Sequence, residues 1–263
     1  MAEISRSARS ASRPRVRRTV SAADPDEPSD VEVGWRLEDG TERRRPWRSV
    51  STDELAAATP WRTFRWYTGQ KHYSGLYWSA TTRTHVAYES RLELARLLYA
   101  DFDPEVSGIV SQPFVLTAVV GGQRRKHVPD YLLTSDDGPV VVDVKPQERL
   151  GHPKVASTLA WAKRVVESRG WRFEVAHEPP EQRASNIRFL AGYRRDWLMA
   201  PALLDELRAA DLNGLTLAEA FAARPGWAAP LVRAALLHLL WRQVYRVDLE
   251  TLLTPQHVIE ASS

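Results

Sequence analysis

The sequence predicts an α/β protein in which a β-sheet is flanked by helices and is followed by a small α+β module. Between residues 90 and 176, a helical run, three strand-like runs, a second helical run and a further strand follow one another. This is the order of elements in an α/β sandwich. Beyond residue 190, three short helical runs precede a hairpin-like segment. No stretch approaches the ~18 apolar residues of a membrane span, so we expect no membrane partner.

Composition narrows the class of protein further. With 263 residues, 43% of them hydrophobic and 26% charged, the chain has the make-up of one or two ordinary globular domains. It contains no cysteine, which excludes disulfides, thiolate zinc sites, iron–sulfur clusters and cysteine nucleophiles. Of the 36 basic residues, 31 are Arg and 5 are Lys, and the net charge is +3. Such a balance is compatible with an anionic partner.

The first 31 residues are predicted to be a disordered, Arg-rich tail. Six Arg fall within the first twenty residues, and no apolar core of a secretory signal is present there. Two alternatives are an arm that touches DNA phosphates and an organelle transit peptide.

The segment 32–87 is rich in aromatic residues interleaved with Arg. Such a pattern can stack on and neutralise nucleic acid, but it is also typical of short hairpins with an aromatic core and exposed Arg. We favour the hairpins. The aromatic residues are Trp35, Trp47, Trp61, Trp66, Tyr67, Tyr73, Tyr77 and Trp78.

The remaining elements follow from hydrophobic periodicity and turn signals. Helices are predicted over 90–100 and 153–169, and strands over 112–120, 127–134, 139–145 and 171–176. Asp136-Asp137-Gly138 is a hairpin turn signal between two of these strands. In the C-terminal module, helices are predicted over 203–210, 217–223 and 230–240, and a hairpin over 246–258 with its turn at Thr254-Pro255.

One pair of motifs carries chemistry: Pro129-Asp130 is followed, after twelve residues, by Asp143-Val144-Lys145. Asp130 begins one strand and Asp143 ends its hairpin partner, so two carboxylates meet at one sheet edge. Mg²⁺ is commonly held by one or two carboxylates. Lys145 projects from the same strand face as Asp143, where an ammonium can orient a water for attack on a phosphodiester.

The alternative is a purely structural role, in which Asp130 caps a strand and Asp143 and Lys145 form a solvated strand end. Against it, Asp143 follows Val140-Val141-Val142, a run expected to be buried, where an unpaired carboxylate is costly. A third acid is expected from the helix over 90–100. Glu93 can lean toward the sheet, whereas Glu89 at the helix start needs no role beyond the helix dipole, so we choose Glu93.

His127 lies three residues before Asp130 and could approach a phosphate, but we expect a surface position for it. From Asp196 onward the chain holds eight acids and five Arg, a net −3. Three helices and a β-wing suggest a winged-helix module, and its acidity favours a protein partner over a DNA groove. The run 236–241 is expected to be core.

These motifs together resemble TnsA, the endonuclease subunit of heteromeric cut-and-paste transposons, within the PD-(D/E)xK nuclease superfamily. The similar segments are ESRLELA (89–95), DFDP (101–104), QPF (112–114), HVPDYLL (127–133) and VVVDVKP (140–146), and RFLAGYRR (188–195) and the segment 236–253 extend the resemblance to about residues 60–260. The resemblance implies a restriction-endonuclease-like mixed sheet flanked by helices in a nuclease domain over 32–190. A winged-helix-like, partner-binding domain would follow over 191–263.

By its motif positions, the resemblance implies that Glu93 is the helix acid, Asp130 the central metal ligand and Lys145 the catalytic lysine. Asp143 stands where the best-known pattern has Gln, which supplies a further carboxylate ligand. The implied cofactor is Mg²⁺, with Mn²⁺ as a substitute.

The resemblance also implies a bacterial, cytoplasmic protein that cuts the 5′ strand of double-stranded DNA at transposon ends. Its partners would be a DDE transposase of the TnsB type and an AAA+ regulator of the TnsC type, the latter bound through the C-terminal domain. Two other functions stay open: a stand-alone nuclease in restriction or repair, and a non-catalytic DNA- or protein-binding component with the same fold.

Overall fold

The computed structural model describes residues 27–62 and 73–261. The strands are β1 Ser29–Arg36, β2 Glu42–Pro46, β3 Gly75–Trp78, β4 His85–Tyr88, β5 Val106–Ser111, β6 Val115–Val120, β7 Gln123–His127, β8 Tyr131–Ser135, β9 Val140–Val144, β10 Arg172–Ala176, β11 Tyr245–Arg246 and β12 Glu260–Ala261. The helices are α1 Thr52–Ala56, α2 Arg91–Phe102, α3 Gln147–Leu150, α4 Pro153–Glu167, α5 Glu181–Leu190, α6 Pro201–Arg208, α7 Leu217–Ala222 and α8 Ala229–Trp241.

The central sheet has the strand order β10-β9-β8-β5 and is mixed. β9 pairs parallel with β10, whereas β8 pairs antiparallel with both β9 and β5. Side chains alternate between its two faces: Leu133 and Val142 face the cluster that includes Leu97 of α2, and Val141 faces the cluster that includes Trp161 of α4. The predicted α/β class, a mixed sheet flanked by helices, is confirmed.

A second sheet, of order β2-β1-β6-β7, is antiparallel throughout. Trp35 and Trp47 are buried beneath it, and the Trp47 indole donates a hydrogen bond to the carbonyl of Val165 in α4 at 2.8 Å. For these two aromatic residues, the hairpin-core interpretation is therefore confirmed. Trp66, Tyr67 and most of the predicted tail lie outside the described residues. β1 begins at Ser29, inside the segment predicted as disordered.

Two strand predictions are wrong in extent. The strand predicted over 112–120 begins only at Val115, because Gln112 has a φ of +44° that extended backbone cannot accommodate. The strand predicted over 127–134 is split between the end of β7 and β8. Buried Pro129 lies between the two strands and has no N–H to donate to a ladder.

Three helices in the C-terminal module, α6, α7 and α8, confirm the helical runs predicted there. The hairpin predicted over 246–258 is wrong in extent. Its strands have two residues each and pair Tyr245 with Ala261 and Arg246 with Glu260, while Val258 forms an isolated bridge to Thr216. The winged-helix assignment stays a prediction.

The C-terminal helices share one apolar core with the central sheet. The run 236–241 of α8 is buried, as predicted. The same hydrophobic cluster holds Val142 and Val144 of β9, Ile187 of α5 and Leu240 of α8. Among the described residues, no helix is both long enough and apolar enough to cross a bilayer.

Candidate active site

Two paired strands bring the predicted aspartates together. The register of the antiparallel β8–β9 pair sets Tyr131 opposite Val142, which places Asp130 beside Asp143 at one edge of the sheet. Two backbone hydrogen bonds fix Asp130: its N–H donates to the carbonyl of Val142 at 3.0 Å, and its Oδ2 accepts from the N–H of Val144 at 2.6 Å.

Lys145 joins the two carboxylates. Its Nζ donates to Asp130 Oδ2 at 3.1 Å, to Asp143 Oδ1 at 3.4 Å and to the carbonyl of Val144 at 2.8 Å. An ammonium has three N–H donors, so these contacts engage all of them. The structure therefore unites three of the four predicted site residues through direct contacts.

His127 belongs to this cluster, and the surface position expected for it is wrong. Its Nε2 lies 2.6 Å from Asp143 Oδ2, and only 10% of its side chain is exposed. His127 pairs with buried Leu116 of β6, so its ring turns toward the interior, where it packs edge-on to Trp161 of α4. The signal in the sequence was its position three residues before Asp130.

Glu93 lies on the first turn of α2, and its carboxylate folds back over the helix start. Oε2 accepts from the N–H of Glu89 at 2.7 Å, and Oε1 accepts from the hydroxyl of Ser90 at 3.0 Å. The Glu89 carboxylate instead pairs with Arg62 at 3.4 Å, near the surface. Glu93 makes no hydrogen bond to Asp130, but it is close enough for the charge of Asp130 to act on it. This geometry favours Glu93 over Glu89.

The protonation of the site follows from burial and from like charges held close together. Burial, followed by the charge of Asp130, raises the pKa of Glu93 to about 7. Burial also raises the pKa of Asp130, an effect that the Lys145 ammonium offsets only in part. For Lys145, burial disfavours the charge, but the two aspartates outweigh it and the pKa is raised. Lys145 is therefore a fixed cation.

The side chains at this site indicate which kind of metal ion could bind there. Among residues 27–62 and 73–261, no group of three or more His, Asp or Glu side chains already forms a ligand cluster. Asp130 and Asp143, however, present hard oxygens to one shared cation, the ammonium of Lys145. Mg²⁺ prefers carboxylate oxygens as ligands. A divalent cation bound here would also offset the negative charge of Asp130, which, after burial, is the main cause of the raised pKa of Glu93. These residues suit a hard divalent ion.

Comparison with known proteins identifies the segment that carries this geometry. Residues 103–178 match the family model described as TnsA-like endonuclease N terminal. The match includes Asp130, Asp143 and Lys145, together with His127, whereas Glu93 lies before it. No curated protein matches the chain. The resemblance to TnsA is thereby confirmed over residues 103–178.

Proposed function

We propose that the protein is a Mg²⁺-dependent DNA endonuclease that hydrolyses a phosphodiester to leave a 3′-OH and a 5′-phosphate. The observation that carries this proposal is the contact of one ammonium, Lys145, with two carboxylates, Asp130 and Asp143, at a single sheet edge. The family match supports it, because the same three residues lie inside a TnsA-like endonuclease segment.

Asp130 and Asp143 would hold the metal ion, with Glu93 completing the acidic cluster directly or through water. When bound, such an ion polarises a phosphoryl oxygen and stabilises the charge that develops on the phosphate. Mn²⁺ offers the same preference for oxygen ligands and is expected to substitute.

Lys145 orients the attacking water and does not deprotonate it. Its raised pKa keeps it charged at neutral pH, and a charged ammonium only donates hydrogen bonds. All three of its donors are engaged by Asp130, Asp143 and Val144. A bound divalent cation would compete with Lys145 for Asp130 and Asp143, and one Lys145 donor would then be left for the water.

Before a metal binds, Glu93 is the residue suited to hold a proton, because burial and the charge of Asp130 raise its pKa to about 7. A carboxyl with a pKa near the working pH exchanges protons readily. Glu93 Oε1 receives a hydrogen bond from Ser90, which holds the group in place while its charge changes.

The proposal also includes the DNA strand that is cut and the partner proteins. We infer that the chain cuts the 5′ strand at transposon ends beside a DDE transposase of the TnsB type. The net −3 of the segment from Asp196 to Ser263 favours a protein surface over DNA as its partner, and a TnsC-like AAA+ regulator fits that role.

The test is a strand-cleavage assay on a transposon-end duplex with the partner transposase and Mg²⁺ present. Asp130→Ala and Lys145→Ala should each abolish cleavage of the 5′ strand. Asp137→Ala, in the exposed turn between β8 and β9, should cleave like the unmodified chain. Full cleavage by either site variant would overturn the proposal.

Cleavage without the transposase would favour a stand-alone nuclease, and the absence of Mg²⁺ binding in calorimetry would favour a non-catalytic component.

A further inference from the structure

The edge strand β7 carries a basic surface that runs into the active site. Within the described part of the chain, β7 pairs with β6 alone, and its residues from Gln123 to Lys126 are exposed. Three consecutive cations, Arg124, Arg125 and Lys126, lead to His127, the partner of Asp143. Only Val128 and Pro129 separate His127 from Asp130.

Two of these cations are available to an outside partner. Arg124 is neutralised by Glu32 at 2.8 Å. Arg125 and Lys126, by contrast, form no ion pair with any residue in the described part of the chain. Two other arginines, however, are engaged: Arg96 makes a bidentate pair with Glu174 at 2.7 and 2.8 Å, and Arg62 pairs with Glu89.

The direction of the side chains links Arg125 to the site. Arg125 and His127 are two residues apart and therefore project from the same face of β7, and they pair with Ala118 and Leu116 of β6 on that face.

The active site itself repels a DNA backbone. It contains three carboxylates and one ammonium, and that ammonium is already held by Asp130 and Asp143. A phosphodiester that approaches this negative cluster needs positive charge beside it, because clefts lined by one sign of charge attract only the opposite sign.

We propose that Arg125 of β7 binds the phosphate backbone of duplex DNA next to the scissile phosphate. This inference rests on the proposed nuclease function and names the surface that brings the duplex to the site. Cations on an edge strand also discourage pairing with other chains, but that role predicts no change in DNA binding when they are removed.

The first test measures duplex binding by fluorescence anisotropy as a function of salt, in EDTA so that no cleavage occurs. Each phosphate contact contributes about 0.9 to the slope of log K against log[salt], so Arg125→Gln should lower the slope by about 0.9. The control Arg188→Gln removes one exposed cation from α5 and should leave the slope unchanged. An equal slope for the β7 variant, or no duplex binding by the unmodified chain at low salt, would overturn the proposal.

The second test uses the absence of cysteine from the chain. Arg125→Cys creates a single thiol that can carry a hydroxyl-radical-generating iron chelate, and it should cut the duplex backbone within a few nucleotides of the enzymatic cleavage position. Arg188→Cys, labelled in the same way, should not. Random or absent cutting by the Arg125→Cys probe would refute the placement.

These measurements separate the two hypotheses. Binding in EDTA needs no metal and no cleavage, so it reports on β7 even if Asp130→Ala proves to be fully active and the nuclease proposal fails. Conversely, a chain that cleaves normally but keeps its salt slope after Arg125→Gln would reject this surface and leave the nuclease function intact.

Discussion

Asp143 is held from two sides by residues of different sheets. His127 of β7 contacts Oδ2 at 2.6 Å, and Lys145 contacts Oδ1 at 3.4 Å. The Asp143 side chain has no exposed surface, so these two contacts replace water. Because an ionised carboxylate only accepts hydrogen bonds, His127 Nε2 is the donor of this contact when Asp143 is ionised. The second sheet thereby fixes one ligand of the proposed metal site.

Removal of the His127 donor should weaken both the fold and the site. His127→Ala leaves a buried carboxylate oxygen without its partner, and we expect the free energy of unfolding to fall by about 1–3 kcal/mol. Cleavage should fall as well, because Asp143 is free to turn away from the metal. Urea denaturation and the strand-cleavage assay measure the two effects.

The controls for His127 separate its position from its hydrogen bond. His127→Gln keeps an N–H donor and should recover part of the cleavage that His127→Ala loses. His85→Ala removes an exposed imidazole from β4 and should change neither quantity. If His127→Ala is as stable and as active as the unmodified chain, the contact with Asp143 has no role in the site.

Glu93 should make stability depend on pH in the absence of metal. Its pKa is raised to about 7 in the folded protein, from an ordinary value of 4.5. The folded state therefore keeps this proton where the unfolded state has lost it, so stability is fully present below about pH 4.5 and falls as the pH rises to about 7. The variant Glu93→Gln has no carboxyl to titrate at this position. The difference in free energy of unfolding between this variant and the unmodified chain should therefore grow in favour of the variant by about 1–3 kcal/mol as the pH rises across that range.

The measurement is urea denaturation in EDTA at several pH values between 4.5 and 7.5. Glu105→Gln is the matched control, because the side chain of Glu105 is exposed between α2 and β5 and is not held over the site. Its pH profile should run parallel to that of the unmodified chain. A parallel profile for Glu93→Gln would contradict the assigned electrostatics.

Asp130, Asp143 and Lys145 could be found from the sequence because hairpin pairing is a local property. A turn at Asp136-Asp137-Gly138 between two apolar runs fixes which residues oppose each other, and the register of β8 and β9 follows. β8, β9, β10 and the flanking helices α2 and α4 could likewise be predicted from local patterns, whereas β5 of the central sheet, Val106–Ser111, lies outside every predicted strand.

What the sequence concealed depends on tertiary contacts. β7 has the sequence QRRKH, which shows no apolar alternation, so neither the strand nor the inward turn of His127 could be seen. α5 is polar apart from a few residues, of which Ile187 and Leu190 are buried. The pairing of β11 with β12 joins segments separated by a long loop, and no local pattern encodes it.

Asp101 is expected to support the fold without any part in cleavage. Its buried carboxylate accepts from the Tyr77 hydroxyl at 2.7 Å, the Ser79 hydroxyl at 2.6 Å, and the N–H groups of Ala80 and Thr81 at 3.0 and 2.8 Å. In Asp101→Asn, the side-chain NH₂ group would face hydroxyl and N–H groups that also donate hydrogen bonds. This substitution should therefore lower the free energy of unfolding by about 2–3 kcal/mol.

The test of Asp101 compares urea denaturation with cleavage measured below the unfolding transition. Asp103→Asn, at the exposed end of the same helix, is the control and should change stability by less than about 0.5 kcal/mol. A large loss of cleavage by folded Asp101→Asn would give this residue a role in the site that its contacts do not indicate.

The shared core predicts that the C-terminal helices and the central sheet unfold together. Trp241 of α8 packs on Phe102 of α2 with ring centroids 5.3 Å apart, and Gln243 donates to the carbonyl of Phe102 at 2.7 Å. Trp241→Ala should therefore lower the free energy of unfolding of the whole described fold by about 3–5 kcal/mol. Calorimetry should record a single transition at a lower temperature.

Trp197→Ala, which truncates a side chain that is 58% exposed, should shift the transition far less. Two separate transitions, of which Trp241→Ala moves only one, would instead establish a boundary near residue 190 between units that fold independently.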